Sequence, residues 1–201
     1  MRIGIFGGTF DPVHLGHLIL AEQCRDQAKL DEVWFLPSYR PPHKAEAGIT
    51  RFEHRCDMLA LALAGHPGFR VNPIEKELPP PSYTAETLRE LRERHPGDEF
   101  FLLLGADSAA DLPGWYEPRR VIEQAGLVVV PRPGTMMVTA ELLADALGLD
   151  PGALRMRVVA CPDIDIASRD LRRMAATGHS IRYLVPRSVE EYVRERKLYA
   201  T

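Results

Sequence analysis

Cysteine is scarce in this 201-residue chain, and its three copies, Cys24, Cys56 and Cys161, are scattered and odd in number. Neither a disulfide framework nor a paired zinc motif fits that usage, so a reducing cytoplasm is the expected location. Long apolar runs are missing too: none approaches the ~20 residues that a membrane span needs. The opening "MRIGIF" is interrupted by Asp11 before a signal-peptide core could form. There is no excess of positive charge, since 25 Lys and Arg face 28 Asp and Glu for a net charge of -3. A nucleic-acid surface normally needs the opposite balance. Neither nucleic acid nor a membrane is therefore expected as a partner. Two glycine motifs are absent as well. No G-x-x-x-x-G-K-[ST] occurs, which argues against a P-loop ATPase, and no G-x-G-x-x-G follows the first apolar segment, which weakens a dinucleotide-binding turn.

What is present is an alternation of short apolar runs with amphipathic stretches, the pattern of a parallel sheet covered by helices on both faces. Strands are expected at 2–6, 32–36, 69–74, 99–104, 127–130 and 156–159. "EFFLLLG" and "GLVVVP" lack polar alternation and read as central strands buried on both faces. Helices are expected at 15–28, 84–94, 117–124 and 139–147. Two more open on capping-box spacings, Thr50 with Glu53 and Ser188 with Glu191, the first then placing Phe52, Cys56, Leu59 and Leu63 on one face. "ELPPPSYT" and "YRPPHKAEAG" must be loops, because proline lacks the N–H and fixes φ. At strand carboxyl ends such loops form the ligand crevice of an open α/β sheet. The least regular stretch, 131–155, reads as a surface excursion. The whole describes one α/β domain, a Rossmann-like doubly wound parallel sheet over 1–165 with a helical C-terminal part over 166–201.

"GGTFDPVHLGH" (7–17) sits between the first strand and the first helix. Gly7 and Gly8 let backbone N–H groups approach an anion without Cβ interference, and the helix start directs its own N–H groups and positive dipole end to the same place. His14 and His17 are three apart and share a face if the helix has begun, each able to donate to a phosphoryl oxygen. A tight turn with surface histidines and a zinc pair are the alternatives. Zinc wants further ligands at motif spacing, and the other histidines are scattered.

The motif resembles the T/H-x-G-H signature of nucleotidyltransferases, which join a phosphate to the α-phosphorus of a nucleoside triphosphate. "PSYRPPHK" (37–44), "SYTAETL" (82–88), "LLGADSAADLPGWYEP" (103–118), "IASRDLR" (166–172) and "SIRYLVPRSVEEYV" (180–193) resemble, in order, the blocks of bacterial nicotinate mononucleotide adenylyltransferases. The resemblance covers most of the chain. It implies transfer of AMP from ATP to nicotinate mononucleotide, giving deamido-NAD and pyrophosphate, with magnesium arriving with ATP. No carboxylate cluster suggests a protein cage for that cation, so no metal ligand is assigned.

The resemblance also implies roles. His14 and His17 are the catalytic donors. Gly7, Gly8, Thr9 and Phe10 form the ATP turn; Gly105 and Asp107 serve the adenosine side, where Asp107 as a helix N-cap is the plain alternative. Arg132 lines the adenine pocket, and Ser168 and Arg172 embrace the triphosphate. That last block departs from the family pattern at Ala167, Arg169 and Leu171. On the acceptor side, Trp115 is the stacking plate, the backbone N–H groups of Thr84 and Tyr116 receive the nicotinate carboxylate, and Lys44, with Arg40 and His43 beside it, neutralises phosphate. A sister transferase for nicotinamide mononucleotide or phosphopantetheine, and a nucleotide sensor without turnover, are the rival readings. The sequence leaves a homo-oligomer open.

Overall fold

The computed structural model describes residues 1–40, 48–131 and 138–200. Six strands, β1 (Arg2–Gly8), β2 (Glu32–Pro37), β3 (Phe69–Val71), β4 (Glu99–Gly105), β5 (Gly126–Val130) and β6 (Met156–Val158), form one sheet. Their order is β3-β2-β1-β4-β5-β6, and every adjacent pair is parallel. The expected doubly wound α/β sheet is what forms. Its order reverses between β1 and β4, so the chain leaves those neighbouring strands in opposite directions and opens a crevice at their carboxyl ends.

The side-chain period of two divides the sheet residues between two cores. Ile3, Ile5, Trp34, Leu36, Phe100, Leu102, Leu104, Leu127 and Val129 pack with α3 (Thr84–Arg94), α4 (Ala106–Asp111), α5 (Pro118–Gln124) and α6 (Ala140–Leu147). Phe6, Val33, Phe35, Phe101, Leu103, Val128 and Val130 pack with α1 (Leu15–Gln27), α2 (Phe52–Leu63), α7 (Ser168–Ala176) and α8 (Arg187–Glu195). Strands β4 and β5 are buried on both faces, as their unbroken apolar runs require.

Several local expectations change. The Thr50 capping box does not form: α2 starts at Phe52 behind Arg51 without a side-chain cap. Thr50 instead donates its N–H to Asp11 Oδ2 at 3.0 Å. On that helix it is Arg55, not Cys56, that shares the buried face with Phe52, Leu59 and Leu63. Ser188 is not a cap either, because α8 has already begun at Arg187, and the Ser188 hydroxyl donates to Leu61 O at 3.1 Å. Strand β3 stops at Val71, and Ile74–Lys76 is a 3₁₀ turn. The 138–154 stretch is no surface excursion: α6, capped by Thr139 accepting from the Leu142 N–H, buries Leu143, Ala144 and Leu147 in the core with Leu154.

Candidate active site

A cleft of about 1350 Å³ opens at the carboxyl ends of the strands. Pockets for one drug-sized ligand run to roughly 300–1,000 Å³, so two substrates can lie side by side here. The end of β1 with the turn to α1, and beside it the end of β4 with α4 and Trp115, line it. Loop residues Ser38, Glu75, Ser82 and Tyr83 border one side, and 161–167 the other.

Strand β1 runs two residues further than its apolar run, because Gly7 and Gly8 still pair with Leu36 and Pro37. A Cβ on Gly8 would lie 2.9 Å from the Phe10 ring, so only glycine lets the chain turn this tightly. One on Gly7 would meet no protein atom. That glycine borders the cleft and keeps its backbone open to a ligand.

His14 is the N-cap of α1, and His17 lies one turn in. Their rings stack at 3.6 Å between centroids with 25° between planes. The His14 N–H donates to His17 Nδ1 at 3.2 Å. An accepting Nδ1 carries no proton, so the neutral ring has its N–H on Nε2. Phe10 and Phe6 meet the same ring edge-on at 5.0 and 5.9 Å. His17 is thereby held on three sides as a donor of fixed orientation, and both rings border the cleft. The helix start itself offers less than the sequence implied. The Leu15 N–H donates to Leu184 O and the His17 N–H to His14 O, both at 3.0 Å, so these first-turn donors are committed within the protein.

Gly105, not Asp107, is the N-cap of α4; Asp107 follows in its first turn, exposed and bordering the cleft. Trp115 ends the 3₁₀ turn Leu112–Gly114, half-buried with its ring against the β4 core and the cleft. Tyr116 stacks on Tyr83 at 4.3 Å with 21° between planes. Tyr83 is the N-cap of α3 and Thr84 its first residue. The tyrosine stack thus joins the α3 start to the segment after Trp115 and brings Thr84 and Tyr116 to one end of the cleft.

Ser168 and Arg172 reach the same region from α7 but hold its backbone. The Ser168 hydroxyl donates to Pro12 O at 2.9 Å and Arg172 to Asp11 O at 2.7 Å. Arg169 points outward, 82 % exposed beside Asp170. Arg40 and Ser82 exchange backbone and side-chain bonds across the mouth, Arg40 N–H to Ser82 Oγ and Ser82 N–H to Arg40 O. Lys44, His43 and Arg132 lie outside the described residues.

Sequence reasoning missed three buried charges beside this site. Arg55, Asp11 and Glu75 are each under one-tenth exposed. Arg55 donates to Thr9 O at 2.8 Å, Ser38 O at 2.7 Å and Thr50 O at 2.9 Å. Glu75 accepts the Tyr39 N–H at 3.1 Å, and burial pushes its carboxyl up to about 7. A signal for Arg55 was present: with Phe52, Leu59 and Leu63 it falls on the 3-4-4 spacing of one helical face, where a charge needs a reason.

Among the described residues no three His, Cys, Asp or Glu side chains converge as metal ligands. Nor is any helix among them long and apolar enough to cross a membrane.

Comparison with known proteins meets the same architecture. The cytidylyltransferase-like family matches residues 5–174. A relative from Geobacillus thermodenitrificans named "Probable nicotinate-nucleotide adenylyltransferase" is 43% identical, covering 98% of this chain and 86% of its own. One of the same name from Thermomicrobium roseum is 45% identical over all of this chain and 92% of its own. The solved nicotinic acid mononucleotide adenylyltransferase of Plasmodium falciparum, complexed with NaAD, superposes with a TM-score of 0.80 at 18% identity, covering 98% of this chain and 97% of that one. The structural likeness at that identity speaks for the fold, and the sequence likeness for descent. By both the family match and these relatives, the chain belongs to the cytidylyltransferase-like family and, within it, to the nicotinate-nucleotide adenylyltransferases.

Proposed function

We propose that this chain transfers the adenylyl group of ATP to the phosphate of nicotinate mononucleotide, releasing pyrophosphate and forming deamido-NAD for NAD synthesis. The observation that carries this reading is the stacked His14–His17 pair in one cleft with Trp115 and the linked Thr84 and Tyr116.

An oxygen of the mononucleotide phosphate attacks the α-phosphorus, an O–P bond forms, and the bond from that phosphorus to the β-phosphate oxygen breaks. A phosphomonoester has a second pKa of about 6, so the attacking oxygen is already largely ionised at neutral pH and no general base is required. The remaining task is to hold two anions in line and stabilise charge on the α-phosphoryl and pyrophosphate groups. His17 Nε2–H is the oriented donor for that charge, with His14 beside it and Gly7, Gly8 and Thr9 along the cleft, while Phe10, assigned to the same turn, is buried behind them. Gly105 and Asp107 border the adenosine; Arg132 belongs to that side. Ser168 and Arg172 serve the triphosphate through the turn, whose Pro12 O and Asp11 O they hold.

For the acceptor, Trp115 gives the pyridinium ring an aromatic face. The N–H groups of Thr84 and Tyr116 meet its carboxylate, where an amide would set a donor against donors. Lys44 neutralises the acceptor phosphate. Transferases of this kind work with a divalent cation and ATP. The described side chains form no cage for one, so Mg²⁺ is assigned to the triphosphate, with which it arrives. A cytoplasmic location suits three cysteines that are all free thiols.

The test is pyrophosphate release from ATP and Mg²⁺ with nicotinate mononucleotide, nicotinamide mononucleotide or phosphopantetheine. Turnover fastest with the nicotinate compound is expected. Faster turnover with another acceptor makes this a sister transferase, and ATP binding without release for any acceptor makes it a sensor.

A further inference from the structure

The turn that carries the histidines belongs to neither the sheet nor the helix. Residues 9–14 lie between the end of β1 and the start of α1, and Phe10 is left-handed at φ 49°. Side chains from remote parts of the chain hold the turn: Ser168 and Arg172 take Pro12 O and Asp11 O, and buried Arg55 and half-buried Tyr199 act on it as well. Arg55 of α2 fixes Thr9 O, and the same guanidinium fixes Thr50 O. Asp11 Oδ2 accepts the Thr50 N–H, and Asp11 Oδ1 accepts the Tyr199 hydroxyl at 2.7 Å from 188 positions away.

We propose that Tyr199 is a positioning residue for adenylyl transfer: its hydroxyl, through Asp11, sets the 9–14 turn in the geometry that presents His14 and His17 to the triphosphate. The inference rests on the functional reading above.

The ring and the hydroxyl of Tyr199 do separable work. The ring packs against the core cluster that includes Met58, which a phenylalanine would keep, whereas the hydroxyl's own 4.0 Å approach to Met58 Sδ would go with it. The hydroxyl has Asp11 as its anionic partner, and its donation gives each oxygen of that buried carboxylate its own hydrogen-bond donor. Without it Oδ1 loses a charge-assisted bond where water is excluded, and the carboxylate shifts. The shift passes directly into the turn, because Asp11 is part of it. Burial and the neighbouring Asp11 push the phenol far above the ordinary tyrosine range, so it stays a donor at any working pH. Tyr199 itself is left-handed at φ 66°, which a bulky residue adopts only where surrounding contacts enforce it.

The experiment compares the full chain with Tyr199→Phe, Asp11→Asn and the double variant, reading steady-state kinetics together with calorimetric binding of ATP and of adenosine, which lacks the phosphates. Tyr199→Phe is expected to lower kcat about tenfold, the scale of one charge-assisted hydrogen bond. ATP affinity should fall while adenosine affinity and KM for the mononucleotide stay within about twofold. The double variant should be no worse than Asp11→Asn alone, since the two side chains act as one unit. Unchanged kcat and ATP affinity in Tyr199→Phe would overturn the proposal. So would equal losses for ATP and adenosine, or additive effects in the double variant. A native chain that binds ATP yet releases no pyrophosphate refutes the functional reading instead, and the ATP-against-adenosine comparison still decides whether Tyr199 positions the turn.

Discussion

His17 accepts the backbone N–H of His14 through Nδ1 while the two imidazoles lie face to face at 3.6 Å. The local fold thereby chooses the tautomer of His17 before any substrate arrives, leaving its Nε2–H to donate. Such preorganisation is what makes a donor effective against transition-state charge, because nothing need reorient when the charge develops.

His17→Ala should therefore lower kcat by about a hundredfold or more, the usual loss for one such donor. The melting temperature should stay within a few degrees, since the ring is only partly buried and the apolar core beneath it is intact. Steady-state rates beside a thermal melt check both halves. A loss below about tenfold would remove His17 from the transition state.

The parallel sheet could be read from the sequence because its signal is local: a strand buried on both faces must be an apolar run, and "EFFLLLG" and "GLVVVP" are such runs. Helix starts were read less well. The Thr50 and Ser188 spacings satisfy a local rule, yet Asp11 takes the Thr50 N–H and Leu61 O takes the Ser188 hydroxyl. Tertiary partners outcompeted the cap in both places. In the site, the histidines and glycines announced themselves as a motif. Asp11, Arg55 and Glu75 did not, because a buried charge is defined by the neighbours that satisfy it, and all but one of those, Thr50 O beside Arg55, come from 17 to 188 positions away.

Arg55 gives a prediction opposite in kind to that for His17. It is 2 % exposed and donates to three carbonyls, one on the turn after β1 and two at opposite ends of the β2–α2 loop. Arg55→Met leaves those carbonyls unsatisfied and removes a cation near Asp11, a change that costs about 3 kcal/mol or more. Arg55→Lys should rescue little, because a single ammonium cannot span the guanidinium's divergent partners. Urea unfolding of both variants measures this; a midpoint unchanged from the native chain would contradict it.

Trp115 and Tyr116 should separate in their effects. Trp115→Ala removes the aromatic face from the acceptor end of the cleft, so KM for nicotinate mononucleotide should rise about tenfold and KM for ATP by no more than about twofold, in line with an aromatic stack worth ~1 kcal/mol or slightly more. Tyr116→Ala keeps its backbone N–H but loses the Tyr83 stack. It should chiefly weaken discrimination between the nicotinate and nicotinamide compounds. Initial rates with both acceptors distinguish the two; equal changes in both KM values for Trp115→Ala would make it a structural residue.

Glu75 makes stability depend on pH in an unusual direction. Its carboxyl is pushed up to about 7 in the folded chain, chiefly because burial disfavours the charge, against 4.5 for an ordinary glutamate. Between those values the folded state holds the proton that the unfolded state has released, so stability falls as pH rises from about 4.5 to 7 and levels off above. A shift of this size corresponds to a cost on the order of 3 kcal/mol by pH 8. Glutamine keeps a carbonyl oxygen for the Tyr39 N–H but has no proton to lose. Glu75→Gln should therefore match the native chain near pH 4.5, gain on it steadily up to pH 7, and keep a constant lead beyond. Thermal melts of the two proteins from pH 4.5 to 8.5 test this, and parallel curves across that range would show that Glu75 is charged throughout.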